Sequence, residues 1–225
     1  MQRVAARELP ETLRIAHPGT TVAFAKRDAV ARGYDAAVRA ARENGFEATL
    51  RLAGGRAAIF HEGTMEIGHA VPDDDPRAGI HERFRETSHK LARALTTLGV
   101  DARVGEIDGE YCPGRYSVNA RGVVKLAGIG QRVIGGGSHT GVVLVIEGEE
   151  RINEVLGPVY AALGLDWNPA ATGSVRGEEP SADWGRVSGA IVTEHAREYD
   201  VVEAELDEET LALARELAAE HRVEA

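Results

Sequence analysis

The sequence predicts a single domain of the α+β class, and three observations predict it. A chain of 225 residues is long enough to bury one good core. Apolar runs such as TTVAFA at 20–25 and SHTGVVLVI at 138–146 read as buried strands. Between them, residues 28–43 and 80–98 place their apolar side chains at helical spacing.

Composition narrows the class further. Hydrophobic content of 43% and charged content of 28% are those of an ordinary globular protein. With 26 glycines and only 5% aromatics, the core must be built from Val, Leu, Ile and Ala, between many turns. No apolar run approaches the ~20 residues that cross a bilayer, and no signal segment opens the chain. The net charge of −10 disfavours nucleic acid, which needs clustered Lys and Arg. One cysteine cannot form an internal disulfide, and the plain reading is cytoplasmic.

Taken in order, ETLRIAH at 11–17 alternates as a short strand between two proline turns. After the strand at 20–25, Asp28 is placed to N-cap a helix reaching Glu43, with Val30, Tyr34, Ala37, Val38 and Ala41 inward. Gly45 suits the left-handed position that ends it. FEATLRL at 46–52 alternates as a strand and runs into AGGRAA, then Ile59 and Phe60. Strand, paired glycines and strand is by default a hairpin or bulged turn; the functional alternative is close backbone approach to a ligand. TMEIGHAV at 64–71 is a strand, and the aspartates at 73–75 form a solvated acidic turn matching no calcium loop. His81 and His89 lack metal-ligand spacing, and no metal site is expected. The helix at 80–98 ends at Gly99, and a strand follows at 100–104.

The stretch EYCPGRYSVNARGVVKLAGIGQR at 110–132 organises the rest. It seats Cys112 in a Cys-Pro-Gly turn, then pairs strands at 116–118 and 123–126 around a turn that leads to Lys125. Residues 131–134 extend or follow this ribbon, and three glycines precede the strand at 138–146. Residues 151–163 form a helix with a kink expected at Gly157-Pro158. Residues 164–182 read as a loop, 183–195 as a helix, and Asp207 caps a last helix reaching His221.

RLAGGRAAIFHEGT at 51–64, YCPGRYSVNARGVVKLAGIGQR at 111–132 and HTGVVLVI at 139–146 together resemble the biotin/lipoate protein ligase and lipoyl/octanoyl transferase superfamily. Order and spacing fit over about residues 10–200. The Cys-Pro-Gly upstream of Lys-x-Ala-Gly-x-x-Gln-Arg is similar to the cysteine-dependent branch. The resemblance implies one catalytic domain over 1–225, with a mixed β-sheet, surrounding helices and an acyl tunnel. It also implies an N-terminal helix cut short and no accessory domain. Cys112 would be the thioester nucleophile and Lys125 would hold the acyl carbonyl. Arg51, Gly54, Gly55, Arg56, Ala57, His61, Gly128, Gln131 and His139 would bind substrate, Gly54 and Gly55 lining the tunnel. Arg56 departs from the family pattern, which carries a further glycine there; its side chain would narrow or recap the tunnel.

The implied reaction attaches an octanoyl or lipoyl group to a lysine of a lipoyl-domain protein. The donor would be acyl-carrier protein or a glycine-cleavage H-type protein, with no tightly bound cofactor. Transfer through a covalent intermediate splits one hard step into two. A thiolate serves when nearby positive charge lowers its pKa from ~8.5, and Arg115 and Lys125 are the candidates. Backbone N–H groups or the Lys125 ammonium would stabilise the oxyanion. His61 is a candidate proton shuttle. Gln131 and Arg132 either close a strand or bind, and His139 is a core histidine or a functional one. Two alternatives share the fold. In an ATP-dependent ligase, with Mg-ATP and a lipoyl-adenylate, Cys112 is incidental; a non-catalytic member only binds an acyl chain.

Overall fold

The computed structural model describes residues 1–223. Strands β1 (Thr12–Ala16), β5 (Thr64–Pro72), β9 (Gly137–Val145), β8 (Val124–Ile134), β7 (Val118–Ala120) and β6 (Ala102–Val104) form one sheet in that order. Every pairing in it is antiparallel. A second sheet sets β2 (Thr21–Phe24) between β3 (Glu47–Leu50), parallel to it, and β4 (Ala58–Phe60), antiparallel. The mixed pairing expected from the resemblance is thus confined to this small sheet. The α+β class holds.

Helices α4 (Ile80–Thr97) and α7 (Trp184–His195) cover one face of the large sheet. Leu91, Leu95, Val187 and Ile191 meet Ile67, Leu126, Val142 and Leu144 there. Helices α3 (Tyr34–Glu43) and α5 (Glu149–Leu163) pack on the small sheet. Strand β9 serves both cores by its two-residue period: Val142 and Leu144 face the first, and Val145 faces the second. Short helices α1 (Gln2–Ala5), α2 (Lys26–Ala29) and α6 (Val175–Glu178), and the tail helix α8 (Glu208–Ala218), complete the set.

The helix predicted from Asp28 to Glu43 is two helices. Asp28 does not cap it; its carboxylate is buried and accepts from the Ala25 N–H at 3.0 Å. Val30 is 83% exposed rather than inward. Gly33 lies between the two helices in close packing, where a Cβ would stand 1.7 Å from the Ala162 carbonyl oxygen. Gly45 takes φ +79 as expected at the end of α3.

The glycines at 54 and 55 do not close a hairpin. β3 and β4 lie on opposite sides of β2, so residues 51–57 pass across that strand. Residues 164–182 are not a bare loop either. Asn168 caps a 3-10 turn at Pro169–Ala171, and Ser174 caps α6, whose Val175 is wholly buried. The Gly173 N–H donates to the Lys125 carbonyl at 3.0 Å, which ties this segment to β8. Capping polar side chains, not apolar periodicity, order it.

Asp207 caps α8 by accepting from the Thr210 N–H at 2.8 Å, and it pairs with Arg3 at 2.6 Å. Hydrogen bonds from Thr210 and Arg3 hold its carboxyl at about 2. A carboxylate whose pKa is depressed on folding contributes stability above its unfolded value of ~3.9 and loses it as pH falls through the folded one. The tail contact is therefore present at neutral pH and lost towards about pH 2. Carbon-detected NMR titration is expected to place the Asp207 midpoint there, and Arg3→Gln should move it towards the ordinary carboxylate range.

Candidate active site

Residues 105–117 form a loop between β6 and β7, and Cys112 sits in it at φ +43. That backbone is unfavourable for a residue with a Cβ, and more so before a proline. The surroundings hold it. The Cys112 N–H donates to the Tyr160 hydroxyl at 2.9 Å, and that hydroxyl donates to the Ala57 carbonyl at 3.1 Å. Tyr160 comes from α5, so the helix ties the cysteine loop to the glycine segment. Burial pushes the Tyr160 phenol well above its ordinary range and keeps it a neutral donor.

Lys125 enters from β8 beneath the same loop. Its side chain is 1% exposed and pairs with the wholly buried Glu110 carboxylate at 3.1 Å. Nζ also donates to the carbonyls of Tyr111 and Cys112, each at 2.9 Å. All three ammonium donors are therefore engaged by the loop that carries the cysteine. Glu110 completes the knot: Oε1 accepts from the Ser117 hydroxyl at 2.6 Å and the Gly114 N–H at 2.9 Å. A buried carboxylate and a buried ammonium, each hydrogen-bonded in several directions, fix the loop from below.

The sulfur faces a different cation from the two expected. Arg51 Nη2 lies 3.5 Å from Cys112 Sγ, and the Arg56 N–H donates to Sγ at 3.1 Å. Lys125 reaches the Cys112 carbonyl instead of its sulfur, and Arg115 lies over the Tyr116 ring at 5.8 Å. Gly55, at φ +103, allows this approach, because a Cβ would stand 2.6 Å from Arg51 Nη2 and 2.8 Å from Sγ.

Cys112, Lys125, Arg51, Gly54, Gly55, Gly128 and Gln131 all line one cleft of about 330 Å³, walled on its apolar side by Phe84 stacked on Tyr116. That volume suits a small ligand. Gln131 is held by Arg83 at 3.0 Å, so it is positioned from α4. A neighbouring cleft of about 570 Å³ shares Arg51 and Gly128 with the first, and His139 and Arg132 line it. Three expected residues fall elsewhere. Ala57 is wholly buried and presents its carbonyl to Tyr160. The Arg56 side chain turns to Asp28 and narrows nothing. His61 is buried in the turn before β5, where its Nδ1 accepts from the Gly63 N–H at 3.1 Å. Burial pushes its pKa down, and it lines neither cleft.

Glu110, Tyr160 and Asp28 escape sequence reasoning. Glu110 and Tyr160 carry no local signal, and Asp28 carries a misleading one. Among the described residues there is no cluster of three or more metal-ligating side chains. No helix among them is long and apolar enough to cross a membrane.

Comparison with known proteins places this arrangement. Over 128 residues the chain is 30% identical to the octanoyl-GcvH:protein N-octanoyltransferase of Geobacillus kaustophilus, covering 57% of this chain and 45% of that one. Over 183 residues it is 27% identical to the lipoyl-GcvH:protein N-lipoyltransferase of Listeria monocytogenes, covering 76% and 65%. It therefore spans about half to two thirds of these relatives. Its fold is similar to that in a structure of an archaeal bi-partite lipoate protein ligase and its E2 lipoyl domain from Thermoplasma acidophilum. The TM-score there is 0.71 at 18% identity, covering 96% of this chain and 84% of that one. The family model of the lipoyl protein ligase A/B catalytic domain matches residues 1–160, and the chain belongs to that family.

Proposed function

We propose that this protein is an acyltransferase that moves an octanoyl or lipoyl group onto a lysine of a lipoyl-domain protein through a thioester on Cys112. The observation that carries the reading is the cradle around the sulfur: the Arg56 N–H at 3.1 Å and the Arg51 guanidinium at 3.5 Å, at the wall of a cleft floored by Lys125. These donors are aimed at the atom that would carry the acyl group. The relatives' names, in which GcvH carries the acyl group, support an H-type protein as donor; acyl-carrier protein is the other candidate. Octanoyl and lipoyl groups are substrates, and no bound cofactor is invoked.

In the first step the Cys112 thiolate attacks the acyl carbonyl carbon. The carbonyl π electrons move to oxygen and return as the bond to the donor breaks, the departing donor group taking a proton. The acyl group is left as a thioester. In the second step the acceptor lysine amine attacks that carbonyl and loses a proton, and the Cys112 thiolate leaves. Lys125 positions both the loop and the acyl group. An acyl oxygen that accepts from its ammonium must replace one of the three acceptors it now has. Gly54, Gly55, Gly128 and Gln131 line the acyl path.

Intact-mass spectrometry tests the reading. The protein is mixed with octanoylated H-type protein or octanoyl-acyl-carrier protein, without ATP. The expected result is an added octanoyl mass that hydroxylamine removes, absent in Cys112→Ala. No adduct from either donor, with acceptor labelling only when Mg-ATP and free lipoate are supplied, would replace this reading by the ligase one. Absence of labelling under both conditions would leave only acyl binding.

A further inference from the structure

Arg56 makes two backbone bonds within the cysteine cradle and one side-chain bond outside it. Its N–H donates to Cys112 Sγ at 3.1 Å. Its carbonyl accepts from Arg51 Nη2 at 2.6 Å, and the same nitrogen reaches Sγ at 3.5 Å. Its guanidinium points away from the cleft, where Nη1 donates to Asp28 Oδ1 at 3.1 Å. Asp28 is wholly buried in α2, and its other oxygen accepts from the Ala25 N–H at 3.0 Å.

The turn before Arg56 contains Gly54 and Gly55, which restrict the backbone little. Something outside the turn must decide where the next N–H and carbonyl point. The Asp28 pair does this, because moving Arg56 would leave a buried carboxylate without its cation. The pair is also close to neutral as a unit, so the Arg56 charge itself adds little field at the sulfur. Its effect is geometric.

We propose that Arg56, anchored by Asp28, is a positioning residue for the nucleophile: it orients the 54–56 turn so that one backbone N–H and the Arg51 guanidinium both face the Cys112 sulfur. The catalytic meaning of this rests on the thioester reading above; the geometry of the cradle does not. Loss of the anchor disperses both donors at once and takes them away from the sulfur.

The test reads ionisation separately from turnover. Cys112 is the only cysteine, so its alkylation by iodoacetamide can be followed on the full chain between about pH 5 and 10, a range that brackets ordinary thiol titration. Wild type, Arg56→Met, Asp28→Asn and Arg56→Lys are compared, with the melting temperature of each recorded. In Arg56→Met and Asp28→Asn the rate at pH 7, taken relative to the high-pH plateau of the same variant, is expected to fall about tenfold. Arg56→Lys keeps a cation within reach of Asp28 and is expected to lie between. If a single variant does not fold, the double variant Asp28→Asn/Arg56→Met removes the unpaired charge and is read in the same way. A wild-type profile in the folded variants would overturn the proposal. So would a changed plateau on an unmoved curve, which reports access instead of ionisation. The octanoyl adduct forms or fails independently of this profile, so the two inferences can fail separately.

Discussion

Lys125→Met is expected to lower folding stability by about 3–5 kcal/mol, the usual cost of removing one partner from a buried ion pair. The pair is buried on both sides, at 1% and 0% side-chain exposure. Methionine fills the space but leaves the Glu110 carboxylate without its cation and the Tyr111 and Cys112 carbonyls without their donor. The loop that carries Cys112 would loosen, so transfer should be lost with stability. Urea denaturation followed by circular dichroism measures the first effect. Adding Glu110→Gln to Lys125→Met should restore much of the stability, because a neutral amide is far cheaper to bury, but it should restore no transfer. Recovery of both would show that Lys125 serves the fold alone.

Cys112→Ala is expected to reduce transfer by about 10³-fold or more, the scale seen when a covalent nucleophile is removed. Here stability and activity should separate. Cys112 is only half-buried. Its backbone N–H still reaches Tyr160 in the variant, so the unfolding free energy should stay within about 1 kcal/mol of wild type. Single-turnover transfer from an octanoylated donor, set beside a denaturation curve, checks both halves. Near-normal transfer would assign the acyl group to another acceptor. The opposite profiles of the two variants, one failing chiefly in stability and the other in chemistry alone, distinguish a residue that builds the site from one that reacts in it.

Much of the scaffold could be read directly. The strands at 12–16, 64–72 and 137–145 follow from alternation and apolar runs, because a strand buried on one or both faces needs those patterns. Gly45 and Asp207 were legible as helix punctuation, since capping is decided within a few residues. Cys112 and Lys125 stood out by motif, and they do share one cleft. Three errors share a cause. Asp28 has the residue type of a cap, yet its partner is Arg56, 28 positions away. Arg115 is near Cys112 in sequence, but the turn carries it outward, and the cation at the sulfur is Arg51, 61 positions away. His61 follows the glycine segment closely but turns into the core.

The sequence by itself determined the class of fold, the order of the elements, and which cysteine and which lysine belong together. Apolar periodicity, turn residues and a local motif specify these over short distances. Only the tertiary structure decided the electrostatics of the site: that Glu110 neutralises Lys125, that Tyr160 bridges the two loops, and that an Asp28–Arg56 pair aims the donors at the sulfur. The physical reason is that a buried charge is tolerated only with its partner within hydrogen-bond reach. That partner is chosen by packing across the fold, not by distance along the chain.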